Sequence, residues 1–194
     1  MSAMPKISAP TVAEHRATRR AALIRAGEEA LREGGLAAVI PRGVCERAGL
    51  SRSSFYDYFT TRDDLLAAMA IEAIERWDAE LDVELAGVER GLPALRRFVE
   101  ATMSMTADGR HEIAGVLRDV NLAPSDMEDL MELHEVLMRP LLRILGDLEI
   151  AEPGTAMVLV NGVLGAGIQL VSHGTDHRLV SEEVYRLLTS GLVG

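Results

Sequence analysis

Gly34-Gly35, Pro41, Gly49 and Thr61 interrupt the chain so closely that only short helices fit between them. Upstream, Leu23, Ala26, Ala30 and Leu31 recur at helical spacing within TRRAALIRAGEEALREGG, and Gly34-Gly35 then supplies a stop. Pro41 pre-sets φ and lacks the N–H that a first helical position leaves unpaired, so PRGVCERA reads as a short second helix, broken by Gly49. Ser51 is placed to cap a third helix, RSSFYDYF, by accepting a hydrogen bond from an early backbone N–H. Phe55 and Phe59 share one face of that helix, and Ser53, Tyr56 and Asp57 project from the other. Thr61 to Asp64, TRDD, has the form of a capping box and opens a long fourth helix striped by Leu66, Met69, Ala73, Trp77 and Leu81.

Two short helices joined by a Gly-containing turn and preceded by a supporting helix form a helix-turn-helix. Small residues at Cys45 and Ala48 let the helices approach, and Val44, Leu50, Phe55 and Phe59 make a minimal core. The outward face of the third helix is then free for a DNA major groove, which is wide enough to admit an α-helix. Ser51, Ser53 and Ser54 are short donors and acceptors, Tyr56 and Tyr58 can extend hydroxyls to phosphates, and Arg42, Arg52 and Arg62 supply charge. The charge distribution agrees with this. The whole chain carries a formal −10, but residues 1–62 hold 10 Lys/Arg against 6 Asp/Glu, giving +4, and residues 63–194 hold 10 against 24, giving −14. A basic head on an acidic body suits a polyanion partner and orients its approach.

The run from Gly35 through VCERAGLSRSSFYDYFTTRDDLL resembles the N-terminal DNA-binding domain of TetR-family transcriptional regulators. Val44-Cys45, Ala48-Gly49-Leu50-Ser51, Ser54-Phe55-Tyr56, Phe59, and Arg62 with Leu65 occupy the family's ordered positions, over about a quarter of the chain. The resemblance implies that helix three reads the duplex, that Tyr56 and Tyr58 hold phosphates, and that Arg62 takes a phosphate-binding place usually held by lysine. Thr61 completes the expected contact set. Three residues depart from the pattern. Ile40 stands where many members cap helix two with Thr or Ser, Cys45 replaces an alanine, and Ser53 replaces a common glycine. Asp57 reads as a solvated acid at the edge of the contact.

Aromatics are only 4% of the chain and β-branched runs are scarce, so an all-α fold is expected, with about nine helices. Beyond the fourth, helical patterns lie near 92–107, 110–120, 124–147, 154–173 and 180–192, with Pro140 expected to kink the third of these. The expected domains are 1–65, for DNA, and 66–194, which the resemblance makes a helical effector-binding and dimerisation domain. Residues 153–175 carry no formal charge with His173 neutral and are long enough to cross a bilayer. Asn161, Gln169, Ser172, several glycines and the lack of a basic flank instead favour a helix covered by protein. The resemblance supplies the cover, a homodimer's four-helix bundle made by the last two helices, with Val158, Gly162, Gly165, Ile168, Tyr185 and Leu188 at the interface. Such a dimer would set two recognition helices about one DNA turn apart. Methionines adapt their shape, so Met103, Met131 and Met138, with Trp77 and the polar handles His134, Asn161 and Gln169, are candidates for an effector pocket.

The N-terminal MSAMPKISAPTVAEH is mixed and Pro-containing rather than a secretory signal, and the single Cys45 forms no internal disulfide, so a cytoplasmic location is expected. His173 and His177 have i, i+4 spacing, but Gly174 and Thr175 between them should end the helix; His111-Glu112 and His134-Glu135 each lack a second histidine. GVLGAG follows no strand and is no phosphate loop. No metal, cofactor or enzymatic activity is therefore expected. The reading that results is a homodimeric regulator, a repressor released from a palindromic DNA operator by a small apolar effector whose binding shifts helix four. Two rivals come from other classes: a helical ligand-binding protein without DNA function, and a helical-bundle metalloenzyme using His111 and His134.

Overall fold

The computed structural model describes residues 12–108 and 138–192, and all its regular structure there is helical. Eight helices lie among the described residues: α1 (Val12–Ala38), α2 (Pro41–Ala48), α3 (Arg52–Phe55), α4 (Arg62–Leu85), α5 (Leu92–Ala107), α6 (138–147), α7 (Pro153–Ser172) and α8 (His177–Leu192). The pattern near 110–120 and the start of that near 124–147 fall outside the described residues, as does the turn preceding Pro140 where the kink is expected. The chain divides into two compact units between Met69 and Ala70, within α4.

In the first unit the punctuation seen in the sequence becomes geometry. Gly34 and Gly35 leave helical φ/ψ inside α1, and Gly35 takes φ 64, ψ −167, a conformation open essentially to glycine alone. α1 buries Leu23, Ile24, Ala26, Gly27, Ala30 and Leu31, so its apolar stripe is the one its spacing predicts. Pro41 begins α2, and Ile40 before it makes no side-chain cap, as its lack of a hydroxyl dictates. At the other end Gly49 adopts φ 67, ψ 30. Its N–H donates to Glu46 O at 3.3 Å, and Leu50 N–H donates to Cys45 O at 2.9 Å. This pair of bonds is a Schellman close, which satisfies two orphan carbonyls and turns the chain sharply into α3.

Val44, Cys45, Phe55 and Phe59 are buried with the α1 stripe and with Val39 and Leu65, while Leu50 is only half-buried. The rings of Phe55 and Phe59 lie 5.7 Å apart between centroids, which anchors the middle and the end of the segment 52–59 to one core.

In the second unit, Trp77 and Leu81 of α4 pack with Leu95, Phe98, Val99 and Met103 of α5, Leu141, Ile144 and Leu145 of α6, and Val160, Leu164, Val180, Val184 and Leu188 of α7 and α8. α5, α7 and α8 contact one another pairwise. α7 is long and apolar enough to cross a membrane by length and composition, yet one face of it, Ala156, Val160, Leu164, Gly167 and Val171, packs inside this helical layer. α8 starts at His177, three residues earlier than its apolar pattern suggests, because Asp176 Oδ1 accepts from the N–H groups of Arg178 at 2.8 Å and Leu179 at 3.4 Å. Those two amides also hold the Asp176 carboxyl below its ordinary pKa. His173 closes α7 while His177 opens α8, so the two histidines stand on different helices.

Candidate nucleic-acid interface

α3 is one helical turn, shorter than the eight-residue helix its sequence suggests. After Phe55 the bonds tighten: Asp57 N–H reaches Ser54 O at 3.3 Å and Tyr58 N–H reaches Phe55 O at 3.0 Å, each spanning three residues, while Phe59 N–H still reaches Phe55 O at 2.9 Å. The physical reason is the anchoring of Phe55 and Phe59 in one core, with the chain having to turn back by Thr60 to start α4. The segment 52–59 is therefore a helical turn continued by a tighter one.

Its N-terminus is built by serines. Ser51 Oγ accepts from Ser54 N–H at 3.3 Å and lies 2.9 Å from Ser53 Oγ and 2.8 Å from Ser54 Oγ. Ser51, Arg52 and Ser53 are exposed and Ser54 is half-buried. Three hydroxyls thus share one polar corner, each able to donate or accept toward a base edge or phosphate. Arg52 carries no ion pair among the described residues. Tyr56 is 56% exposed, its ring edge-on to Phe55 at 5.5 Å, so the phenol stands out from the segment on a buried base. Tyr58 is half-buried, with the Arg16 guanidinium 5.3 Å from its ring centroid.

The remaining expected contacts differ in availability. Arg42 is exposed and pairs with Glu46 at 2.8 Å, an i, i+4 surface bridge that screening leaves weak and exchangeable. Thr61 and Asp64 form the reciprocal cap that TRDD signals. Asp64 N–H donates to Thr61 Oγ1 at 3.1 Å, Thr61 N–H to Asp64 Oδ2 at 3.0 Å, and Thr61 Oγ1 to Asp64 Oδ1 at 2.6 Å. The Thr61 hydroxyl first, then the amides of Thr61 and Thr60, holds the Asp64 carboxyl below its ordinary range against the opposing effect of burial. Arg62 is placed differently from the expectation of a phosphate contact: it is half-buried, donating through Nε to Val39 O at 2.7 Å and through Nη2 to Leu36 O. It ties the start of α4 to the α1–α2 connection. Asp57 stays exposed, and neither Arg42 nor Arg52 pairs with it; its backbone carbonyl instead accepts from Arg16 Nη2 at 2.9 Å. That contact joins residues 41 apart, so no local pattern announces it.

Cys45 is buried, and burial pushes its thiol pKa up against a weaker backbone contribution from Phe55. That is the setting of a packing residue rather than a reactive one.

Of the effector candidates, Trp77 and Met103 are buried in the second core, with Met138 packed half-buried against it, and Met131 and His134 lie outside the described residues. Asn161 and Gln169 are corrected: both are exposed, on the side of α7 away from its packed stripe, because that stripe already runs through Val160, Leu164, Gly167 and Val171. A half-open groove of about 500 Å³ does lie along α4 and α5. It is lined by Ala79, Val83, Ala101 and Met105 among Glu80, Glu84, Glu100 and Asp108, and Arg97 in it pairs with Glu84 and Glu100. Of the dimer candidates, Val158 and Gly162 are exposed, and Gly165, Ile168 and Tyr185 are half-buried. Leu188 is corrected, since it packs into its own subunit's core and the neighbouring Leu187 is the exposed residue.

Residues 23–69 match the sequence model of the bacterial regulatory proteins of the tetR family. The fold is similar to that of the TetR family transcriptional regulator PfmR from Thermus thermophilus, at a TM-score of 0.70 and 19% identity over 89% of this chain and 97% of that one. It is also similar to a transcriptional regulator of the TetR/AcrR family from Thermobifida fusca (TM-score 0.67, 18% identity, 90% and 98% covered). A third similar structure is the fatty acid degradation regulator FadR from Bacillus halodurans (TM-score 0.63, 18% identity, 88% and 94% covered). No curated protein sequence matches the chain.

Proposed function

We infer that this chain, a member of the TetR family of transcriptional regulators, is a repressor that binds a palindromic DNA operator as a homodimer and leaves it when a small-molecule effector occupies the second unit. The observation that carries the DNA reading is the exposed polar corner of Ser51, Arg52 and Ser53 at the head of a recognition segment whose other face, Phe55 and Phe59, is locked in a core. Hydroxyls and a guanidinium with no ion pair among the described residues, on a helical turn anchored by its inner face, suit base edges and phosphates in a major groove. Tyr56 and Tyr58 extend that surface, and Arg42 joins it when a phosphate displaces Glu46. Ser54, half-buried with its hydroxyl on Ser51 Oγ, and Thr61, whose hydroxyl serves the α4 cap, act from its edge.

The dimer is supported by the outward side of α7. Val158, Leu159 and Leu170 are exposed there alongside Gly162 and Ala166, and Leu179 and Leu187 are exposed on α8. A twofold partner that repeats this surface would cover it and present two recognition segments to one duplex. The effector's place is proposed in the second unit, where the α4–α5 groove is one opening among the described residues. Operator and effector would then bind with opposed preference, linked by one reciprocal coupling energy, with α4, shared by both units, as the element that responds. A cytoplasmic location follows from this role.

The test is selection of duplexes from a random pool by the full chain, followed by a mobility shift on the enriched sequence across a salt series. A twofold-symmetric enriched site bound with a steep salt dependence is the expected result. Recovery of no preferred duplex at low salt would leave the ligand-binding rival standing.

A further inference from the structure

The recognition segment is poorly able to hold its own shape. A single turn gains few backbone bonds for the dihedrals it fixes, and here it is followed by tighter bonds rather than by more α-helix. Phe55 and Phe59 pin its inner face, but Asp57 and Tyr58 project from it with no helix beyond to continue their hydrogen bonding.

Two arginines one turn apart on α1 reach this weak end. Arg16 Nη2 donates to the Asp57 carbonyl at 2.9 Å, and the same guanidinium lies 5.3 Å from the centre of the Tyr58 ring. Arg20 lies 5.6 Å from the centre of the Phe59 ring. A cation on a carbonyl at the end of a helical turn, and the same cation over an aromatic face, are each favourable, and together they fix both the backbone and the ring. With its ring held under Arg16, Tyr58 has its hydroxyl direction set before any duplex arrives. Such preorganisation strengthens binding by removing an ordering step.

We propose that Arg16 is a positioning residue for operator recognition, holding the Asp57–Tyr58 end of the recognition segment rather than contacting DNA itself. This rests on the reading of Tyr58 as part of the DNA surface. Two consequences separate it from a phosphate contact. A guanidinium turned to the Asp57 carbonyl and the Tyr58 ring does not sit on a phosphate, so its loss leaves the salt slope of binding close to the wild-type value. Its contribution also passes through Tyr58, so removing Tyr58 removes most of it.

The experiment compares the wild-type chain with Arg16→Ala, Arg16→Lys, Tyr58→Ala and the Arg16→Ala/Tyr58→Ala double variant on the duplex that the wild type enriches from a random pool. Circular dichroism checks that each variant is folded. Amide exchange at residues 57–59 is followed on the free protein. The proposal expects Arg16→Ala to bind about three- to tenfold more weakly, with the salt slope unchanged and faster exchange at Tyr58 and Phe59. Arg16→Lys, which keeps a cation and a donor, should recover much of the affinity. The double variant should bind like Tyr58→Ala alone. Unchanged binding and exchange in Arg16→Ala overturns the proposal. So does a slope that falls by about one unit with losses additive to those of Tyr58→Ala, which is the signature of a direct phosphate contact. If Tyr58→Ala binds as the wild type does, Tyr58's assignment to the DNA surface fails, and the exchange and slope of Arg16→Ala still decide whether Arg16 holds the segment. A wild type that enriches no duplex ends the DNA reading and this proposal with it.

Discussion

Arg62 Nε donates to the carbonyl of Val39 at 2.7 Å, so the side chain at the head of α4 is turned into the connection between α1 and α2 rather than toward the surface. The same guanidinium donates to Leu36 O, so one planar fork reaches two carbonyls, in the last residues of α1 beyond its glycine kink and just after them.

Removing that fork should therefore be felt in folding before it is felt by DNA. Arg62→Ala removes the donor to the Val39 carbonyl and leaves Leu36 O with only the Val39 N–H at 3.2 Å, and is expected to lower unfolding free energy by about 1–3 kcal/mol, measured by urea denaturation. Its salt slope for operator binding should stay at the wild-type value. The phosphate contact that the family resemblance implies for Arg62 would instead give a fall of about one unit. A fall of that size would restore Arg62 to the phosphates.

Asp64 gives the first unit an acid-sensitive joint. Its folded pKa is depressed, so its contribution is fully present above the ordinary carboxylate range and is lost as pH falls through the lowered value. Asp64→Ala should cost about 1 kcal/mol at neutral pH, the usual worth of a helix cap. The difference in stability between Asp64→Ala and wild type should shrink as pH drops below about 4. A difference that stays constant from pH 7 to pH 3 would show that the carboxylate is not what caps α4.

Much of this region was legible because its signals are local. Glycines at Gly35 and Gly49 occupy positive φ, Pro41 opens a helix, and the Thr61–Asp64 box closes within three residues; each is written in adjacent letters. The α4 stripe from Leu66 to Leu81 is buried as its period requires. What the sequence misplaced depends on distant partners. Arg62 reads as a phosphate contact until the carbonyl of Val39 arrives beside it, and nothing local marks Arg16, whose partner is the carbonyl of Asp57. Asn161 and Gln169 look like polar handles in an apolar helix, but nearly every side of α7 is apolar, so periodicity alone does not say which face is packed. Leu188 instead continues the α8 stripe of Val180 and Val184, which packs in its own core, while Leu187 lies about 100° around the helix and is exposed.

Two glycines of α7 make opposite predictions from the same substitution. A Cβ on Gly167 would sit 2.8 Å from Met103 Cε and 3.0 Å from Val184 Cγ2, both side chains buried in the core. A Cβ on Gly162 meets nothing within 4 Å. Gly167→Ala should destabilise the chain by about 1–2 kcal/mol, overpacking outweighing the gain in helix propensity. Gly162→Ala should gain up to about 1 kcal/mol in the monomer. Thermal melts of the two variants should therefore shift in opposite directions at concentrations where the chain is monomeric.

Cys45 should be chemically quiet. Its burial raises the thiol pKa, and only the thiolate attacks an alkylating agent. Iodoacetamide at pH 8 should modify the native chain at least about tenfold more slowly than the chain in denaturant. Equal rates would mean that the first unit opens on the timescale of the reaction, and the tight burial of Val44, Cys45 and Phe55 would then need another explanation.

The apolar outward side of α7 gives the sharpest test of the dimer. Leu159 is 64% exposed and Leu187 is 55% exposed, and neither belongs to the core of its own subunit. A charge placed at either position therefore meets water in a monomer but lies in a desolvated seam if a second copy covers the surface. Leu159→Glu and Leu187→Glu should leave the far-UV spectrum and the monomer's unfolding transition within about 0.5 kcal/mol of wild type. Sedimentation should nevertheless convert from dimer to monomer, since burying an unpaired carboxylate on each side is strongly unfavourable. Operator binding should fall in parallel, because a palindrome read by one subunit loses half its contacts. A Leu159→Glu variant that remains dimeric and binds its duplex undiminished would place the subunit interface elsewhere on the molecule.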